Sequence, residues 1–185
     1  VDGDNSPMVL KDERVSWRRW HIEMETAIQH LKKKSSSYSL LKIKARKSTK
    51  NCFNLSKDLN PEQIHAIESI VNENLLLLSG GPGTGKTTTI VQILIRAISI
   101  DPNLKIGLAA PTGKATRRLQ ETLQEATSKI DDNYKNILLK IPCFTLHKLL
   151  QAKETGFERN RRNPLQLDLL VIDEMSMVDL ALIQG

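Results

Sequence analysis

The sequence predicts an α/β fold with a parallel sheet, and three observations carry that reading. Short apolar runs at 74–79, 104–110 and 167–172 have the length and composition of strands, and the first is apolar enough for a strand buried on both faces. Longer segments of helical periodicity follow the first two runs, so strand and helix alternate as a parallel sheet requires. Each run ends in a polar or glycine-rich cluster, and open parallel sheets bind ligands beyond the carboxyl ends of their strands.

Residues 1–13 are polar and are expected to be irregular. From Arg14 to Lys34, Trp17, Trp20, Met24, Ile28 and Leu31 recur at helical spacing, which predicts one amphipathic helix whose apolar stripe packs on other helices or docks a partner. Residues 32–50 carry Lys32, Lys33, Lys34, Lys42, Lys44, Arg46, Lys47 and Lys50 with no acidic residue, the pattern of a solvated linker or of a contact to DNA phosphates. A domain boundary is expected there, giving a helical docking region with a basic linker at 1–50 and an α/β domain at 51–185.

Asn60-Pro61-Glu62-Gln63 reads as a helix start, with Asn60 as N-cap, Pro61 at the first helical position and Gln63 closing a capping box. Ile64, Ile67, Ile70 and Val71 form its buried face. The run at 74–79 leads into Gly80, Gly81, Pro82, Gly83, Thr84, Gly85, Lys86 and Thr87, with the glycine-to-lysine spacing of a phosphate-binding P-loop. A helix over 86–100 is so apolar that it must be buried on most sides, and Asp101-Pro102-Asn103 ends it. After the second strand, Thr112 is the expected N-cap of a helix running to about Lys129. Residues 131–143 read as a connection with some helical content, Thr145 as the cap of a short helix over 146–151, and 152–164 as a loop or hairpin before the third strand.

The chemistry expected of the loop follows from its residue types. Gly81, Gly83 and Gly85 let the backbone take positive φ and approach a phosphate with no Cβ in the way, and successive N–H groups form an anion nest. Lys86 reaches the β- and γ-phosphates, the Thr87 hydroxyl is placed to ligate Mg²⁺, and Thr88 continues the helix N-terminus. At the end of the third strand Asp173 fits the metal-side carboxylate, and Glu174, one residue on, is placed to orient and deprotonate a water. A second carboxylate beside the metal carboxylate favours hydrolysis over binding alone.

The net charge of +6 is uneven: residues 1–60 hold 13 Lys/Arg against 7 Asp/Glu, while 61–185 hold 14 of each. The nucleotide-binding part is therefore neutral, and global charge says little about a DNA-binding core. Cys52 and Cys143 are far apart in no metal-ligand spacing, and are expected to be free thiols. No apolar stretch approaches the length of a membrane span and no signal sequence opens the chain, so a cytoplasmic protein is expected.

Five stretches taken together resemble the superfamily 1 DNA helicases, most closely the RecD family, the alpha subunits of exodeoxyribonuclease V. They are Leu59-Asn60-Pro61-Glu62-Gln63, the P-loop from Ser79 to Thr89, Leu108-Ala109-Ala110-Pro111-Thr112-Gly113-Lys114-Ala115, Thr145-Leu146-His147-Lys148-Leu149-Leu150, and Asn163-Pro164-Leu165 through Asp173-Glu174-Met175-Ser176-Met177-Val178-Asp179. The resemblance covers about 55–185 and, more faintly, Arg18-Arg19-Trp20 with Glu23. It implies a RecA-like P-loop NTPase core, truncated, behind a short helical region. By the same resemblance the activity would be an ATP- and Mg²⁺-dependent 5′→3′ motor on single-stranded DNA, working with beta and gamma subunits in a recombinational repair helicase/nuclease. Gln63 would read adenine, Lys86, Thr87, Asp173 and Glu174 would carry the phosphate chemistry, and Pro111, Thr112, Gly113, Lys114, Thr145 and His147 would touch the DNA strand. Helicases of this type need further strands, a second motor domain and arginines from across the cleft, so residues 1–185 are expected to be an N-terminal fragment that binds Mg·ATP weakly and does not unwind DNA alone. The rival expectations are a stand-alone helicase of the same branch and a non-hydrolysing, nucleotide-gated assembly module.

Overall fold

A computed structural model of the protein describes residues 6–11, 14–37, 39–47, 58–81, 83–128, 130, 132–154, 156–179 and 182. In chain order the elements are β1 (Met8–Lys11), β2 (Arg14–Trp17), α1 (Arg18–Ser35), α2 (Leu40–Lys47), α3 (Pro61–Ser69), α4 (Lys86–Ile100), β3 (Ile106–Ala110), α5 (Gly113–Thr127), α6 (Asp132–Leu138), β4 (Cys143–Thr145), α7 (Leu146–Leu149), β5 (Ala152–Lys153), β6 (Gly156–Phe157) and β7 (Leu169–Ile172), followed by a 3₁₀ turn at Met175–Met177.

The fold is mixed α/β around a parallel sheet of order β4-β3-β7. Every residue of the central strand β3 is buried, as a strand covered on both faces must be. Its alternate side chains belong to different layers. Ile106 and Leu108 join Val91, Leu94, Ile95 and Ile98 of α4 and Leu119 and Leu123 of α5 in the main core. Ala109 faces the opposite layer with Leu146 and Leu149 of α7. The third face of α4 (Ile93, Ala97, Ile100) is closed by Leu41 of α2, Ile67 of α3 and Ile70, which caps α3. This is why the polar residues of α4 after its first turn are confined to Gln92, Arg96 and Ser99, on one narrow stripe at helical spacing.

Four local expectations are corrected. The run at 74–79, read as a strand buried on both faces, joins no ladder among the described residues, and Leu77 is 74% exposed. Only Leu76 packs against the α2–α3–α4 cluster. An apolar run states a demand for burial; meeting it takes hydrogen-bonded neighbours, and among the described residues the sheet ends at β7. At the N-terminus, Met8–Lys11 is not irregular but pairs antiparallel with Arg14–Trp17, Met8 opposite Trp17 and Leu10 opposite Val15. The first helix consequently starts at Arg18, with Trp17 in the strand, and its Trp20, Met24 and Ile28 stripe is exposed while Ala27 is buried. The basic stretch is partly helical: Lys32, Lys33 and Lys34 end α1, where cations suit the negative end of the helix dipole, and α2 follows with Leu41 buried. Finally, β4 begins at Cys143, the last residue of the stretch read as a connection, and ends at Thr145, read only as a cap; its three residues are too few to show an alternation. Residues 48–57, with Lys50 and Cys52, lie outside the described residues.

α2 is pinned by more than Leu41. Ser39 donates its hydroxyl to the Val71 carbonyl at 2.9 Å, and Lys44 Nζ donates to Asp101 Oδ2 at 2.7 Å, joining α2 to the end of α4. The hydrogen bond from Lys44, and secondly that from the Asn103 N–H, hold the Asp101 carboxyl below its ordinary range; the bond to Asp101 holds Lys44 above its own. The Asp101 contribution is therefore complete above the ordinary carboxylate range and disappears as pH falls through its lowered folded value. The Lys44 contribution disappears only as pH rises through its raised one. Both side chains keep some solvent contact, so Asp101→Asn is expected to cost only about 1 kcal/mol at neutral pH. Thermal melts of the full chain should show the gap to wild type closing on acidification; a gap independent of pH would mean that the bridge contributes nothing.

Candidate functional site

Gly83 (φ +74°) and Gly85 (φ +80°) occupy the left-handed region that side chains disfavour, and Gly81, expected to do the same, does not. Gly85 is constrained twice, because a Cβ there would lie 2.7 Å from Gln63 Nε2. A Cβ on Gly80 would meet the Thr84 hydroxyl at 2.7 Å. Lys86 Nζ lies over the loop, donating to the Gly80 and Gly81 carbonyls at 2.5 and 2.8 Å, and Thr84 donates to Gly81 at 3.0 Å. Pro82 lies outside the described residues.

Gly85 is also the N-cap of α4, and it offers no side chain to the N–H groups of the first turn. Those groups, on Lys86, Thr87 and Thr88, have no partner within the helix and share the positive end of its dipole. The arrangement suits an anion at the α4 N-terminus. Thr89 turns away: its buried hydroxyl donates to the Gly85 carbonyl at 3.1 Å, tying the loop to the helix.

The chain path fixes which rim of the sheet this is. α4 ends at Ile100, and Asp101 to Lys105 lead directly into the start of β3, where Lys105 N–H donates to Asp168 Oδ2 at 2.9 Å. A 15-residue helix is about 22 Å long, so Lys86 lies toward the far, carboxyl rim. On that rim β3 ends at Ala110, β4 at Thr145 and β7 at Ile172, with Ala110 opposite Thr145 and Ala109 opposite Ile172.

Asp173 continues from β7 and donates its N–H to the Ala109 carbonyl at 2.9 Å, so it is held beside the end of β3. Its Oδ1 accepts the Glu174 N–H at 2.9 Å. Glu174 has φ +54°, ψ +41°, a left-handed backbone on a side chain that gains nothing sterically from it. Both carboxylates are half-buried. Among the described residues no hydrogen bond or ion pair links Asp173 or Glu174 to Lys86 or Thr87.

The strand-end residues expected to meet DNA cluster on the same rim. Thr112 caps α5 by accepting the Ala115 N–H at 3.2 Å, and Thr145 caps α7 by accepting the Lys148 N–H at 3.3 Å. Thr116 joins the two, donating to the Thr112 carbonyl at 2.8 Å and contacting the Phe144 carbonyl at 3.3 Å. Pro111 is buried, whereas Thr112, Gly113, Lys114 and His147 are exposed.

Gln63 is brought to the P-loop by its helix. The capping box forms in both directions: Asn60 Oδ1 accepts the Gln63 N–H at 2.8 Å and Gln63 Oε1 accepts the Asn60 N–H at 3.0 Å. Gln63 Nε2 then faces the Thr84 carbonyl at 3.4 Å. Sequence reasoning gave Asn60 only the cap; its bearing on the loop shows in the N-x-x-Q spacing once Gln63 is known to touch Thr84.

Comparison with known proteins gives the family of the chain. The model of the AAA domain family matches residues 63–185. The RecBCD enzyme subunit RecD of Buchnera aphidicola subsp. Acyrthosiphon pisum is 34% identical over 190 aligned residues, covering 98% of this chain and 31% of that protein. The subunit of the same name from Mycobacterium tuberculosis is 40% identical over 127 residues, 65% of this chain and 22% of its own length. An ATP-dependent RecD2 DNA helicase of Deinococcus radiodurans is 38% identical over 126 residues, 68% of this chain and 15% of its own. The chain thus spans about a third or less of the curated relatives it matches. With the family model matching residues 63–185 and a relative 34% identical over 98% of this chain, the chain belongs to the RecD family of AAA-domain proteins.

Proposed function

We propose that this chain carries the nucleotide site of an ATP-driven 5′→3′ DNA helicase motor, of the kind found in a recombinational repair helicase/nuclease. The observation that supports it best is the P-loop itself: left-handed Gly83 and Gly85 lead into the uncapped N-terminus of α4, and Lys86 lies over the same loop. In this reading Gly80, Gly81, Pro82, Gly83, Thr84, Gly85, Lys86, Thr87 and Thr88 hold the triphosphate, and Gln63 addresses the base. Thr87 and Asp173 are the protein's share of a Mg²⁺ site. Among the described residues no three His, Cys, Asp or Glu gather into a cage, which fits an ion bound mostly by phosphate oxygens and water. Mg²⁺ would supply charge neutralisation on the phosphates; Glu174 would orient and deprotonate the attacking water.

The rim bearing Pro111, Thr112, Gly113, Lys114, Thr145 and His147 is the proposed path of single-stranded DNA, with exposed N–H, hydroxyl and ammonium groups suited to phosphates. Partner beta and gamma subunits, and a cytoplasmic location, belong to the same proposal; among the described residues no helix is long and apolar enough to cross a membrane. A motor that works without partner subunits is the second reading; the Deinococcus relative is named as a DNA helicase rather than as the subunit of an enzyme.

Titration of the chain with Mg·ATP and Mg·AMP tests the site. Binding is expected to be weak, and AMP, lacking the phosphates that Lys86 and the loop address, should bind at least about tenfold less well. Equal affinities would remove the loop from nucleotide binding. In strand-displacement assays the chain alone is expected to unwind nothing.

A further inference from the structure

We propose that Asn60 is a positioning residue for base discrimination at the nucleotide site, acting through the orientation of the Gln63 amide. The inference rests on the nucleotide reading above and adds to it a second residue and a fixed sense of recognition.

A glutamine amide has two orientations that differ only in which end is donor and which acceptor. Here the reciprocal capping box chooses between them. The Asn60 N–H can only donate, so the atom it meets at 3.0 Å must be Oε1. That leaves Nε2 on the side of the P-loop, where it meets an atom that can only accept, the Thr84 carbonyl at 3.4 Å. Two independent backbone groups, one on each side, thus select the same orientation. Asn60 holds the arrangement at its base: its Oδ1 accepts the Gln63 N–H at 2.8 Å, and its extended backbone (φ −79°, ψ 164°) aims its own N–H at Oε1. Pro61 at the first helical position stiffens the same turn.

After these bonds are counted, the amide keeps one N–H on Nε2 and one lone pair on Oε1. That pair of groups matches an edge offering one donor and one acceptor side by side. Adenine presents such an edge at N6 and N7; guanine presents two acceptors at O6 and N7. The amide is only half-buried, so the edge is reachable from solvent. Gly85 is part of the device, since any side chain there would displace Nε2.

The test is binding of Mg·ATP, Mg·GTP and inorganic tripolyphosphate to the full chain by calorimetry, for wild type, Asn60→Ala and Asn60→Asp. Wild type is expected to prefer ATP over GTP. In Asn60→Ala, where the first turn of α3 is uncapped, the ATP/GTP ratio should fall by about five- to tenfold while tripolyphosphate affinity stays within about twofold. Asn60→Asp keeps the accepting oxygen and should restore the ratio. A loss of stability alone would lower binding of all three ligands together and leave the ratio where it was, which overturns the proposal. An unchanged ratio in Asn60→Ala, or an altered one in Asn60→Asp, also overturns it, with the phosphate site intact. Absence of binding by ATP and tripolyphosphate alike would instead sink the nucleotide reading on which it depends.

Discussion

Replacing Lys86 by alanine is expected to weaken Mg·ATP binding by about ten- to a hundredfold, the effect of losing a charge-assisted bond to phosphate. The structure adds a second reason for a large effect. Lys86 donates to the Gly80 and Gly81 carbonyls, so its ammonium also organises the first half of the loop. Its removal leaves two carbonyls facing the position that an anion must occupy. Lys86→Arg keeps the charge yet not the compact ammonium, and its wider planar head must displace the Thr84 hydroxyl, which shares the Gly81 carbonyl. Arginine should therefore recover only part of the affinity. Calorimetric titration of the three proteins checks the order; a Lys86→Ala protein within twofold of wild type would mean that the loop holds no triphosphate.

How far the sequence reached depended on whether the signal was local. A cap is a local event, and Asn60 with Gln63, Thr112 and Thr145 form the caps that their spacing announces. The bounds of α4 were equally legible, since a left-handed glycine precedes it and Asp101 follows it. What failed were elements whose existence depends on remote chain. β4 is three residues long and becomes a strand only because β3 lies beside it. The 74–79 run was read as paired because its composition demands burial, but composition cannot name the neighbour. α2 looked like linker because its lysines dominate; Leu41 and Ala45, the residues that dock it, are too few to outweigh them in a count of charge. At the site, the rim was legible, because the ends of β3, β4 and β7 are fixed by their pairing. The contact of Gln63 with Thr84 was not, being a meeting of two segments 21 positions apart.

Glu174 separates chemistry from stability more sharply than any other position here. Its left-handed backbone costs an ordinary side chain of the order of 1 kcal/mol, and Gly alone escapes that cost. Glu174→Gly should accordingly leave the chain as stable as wild type or raise its melting temperature by about 2–4 °C. Glu174→Gln keeps the strain and should melt with wild type. For catalysis the order changes. In a chimera where this chain replaces the matching third of the Buchnera relative, both variants should lose ATP turnover by about 10²- to 10⁴-fold, the usual worth of a general base. Mg·ATP affinity should remain within a few-fold, because Asp173 keeps its place through the Ala109 carbonyl whatever residue follows it. A glycine variant that is both less stable and still active would show that the strain at Glu174 belongs to packing of the 3₁₀ turn behind it. A variant more stable and inactive would show strain retained at the position where the water must be oriented, in a backbone that glycine fits better and glutamate serves.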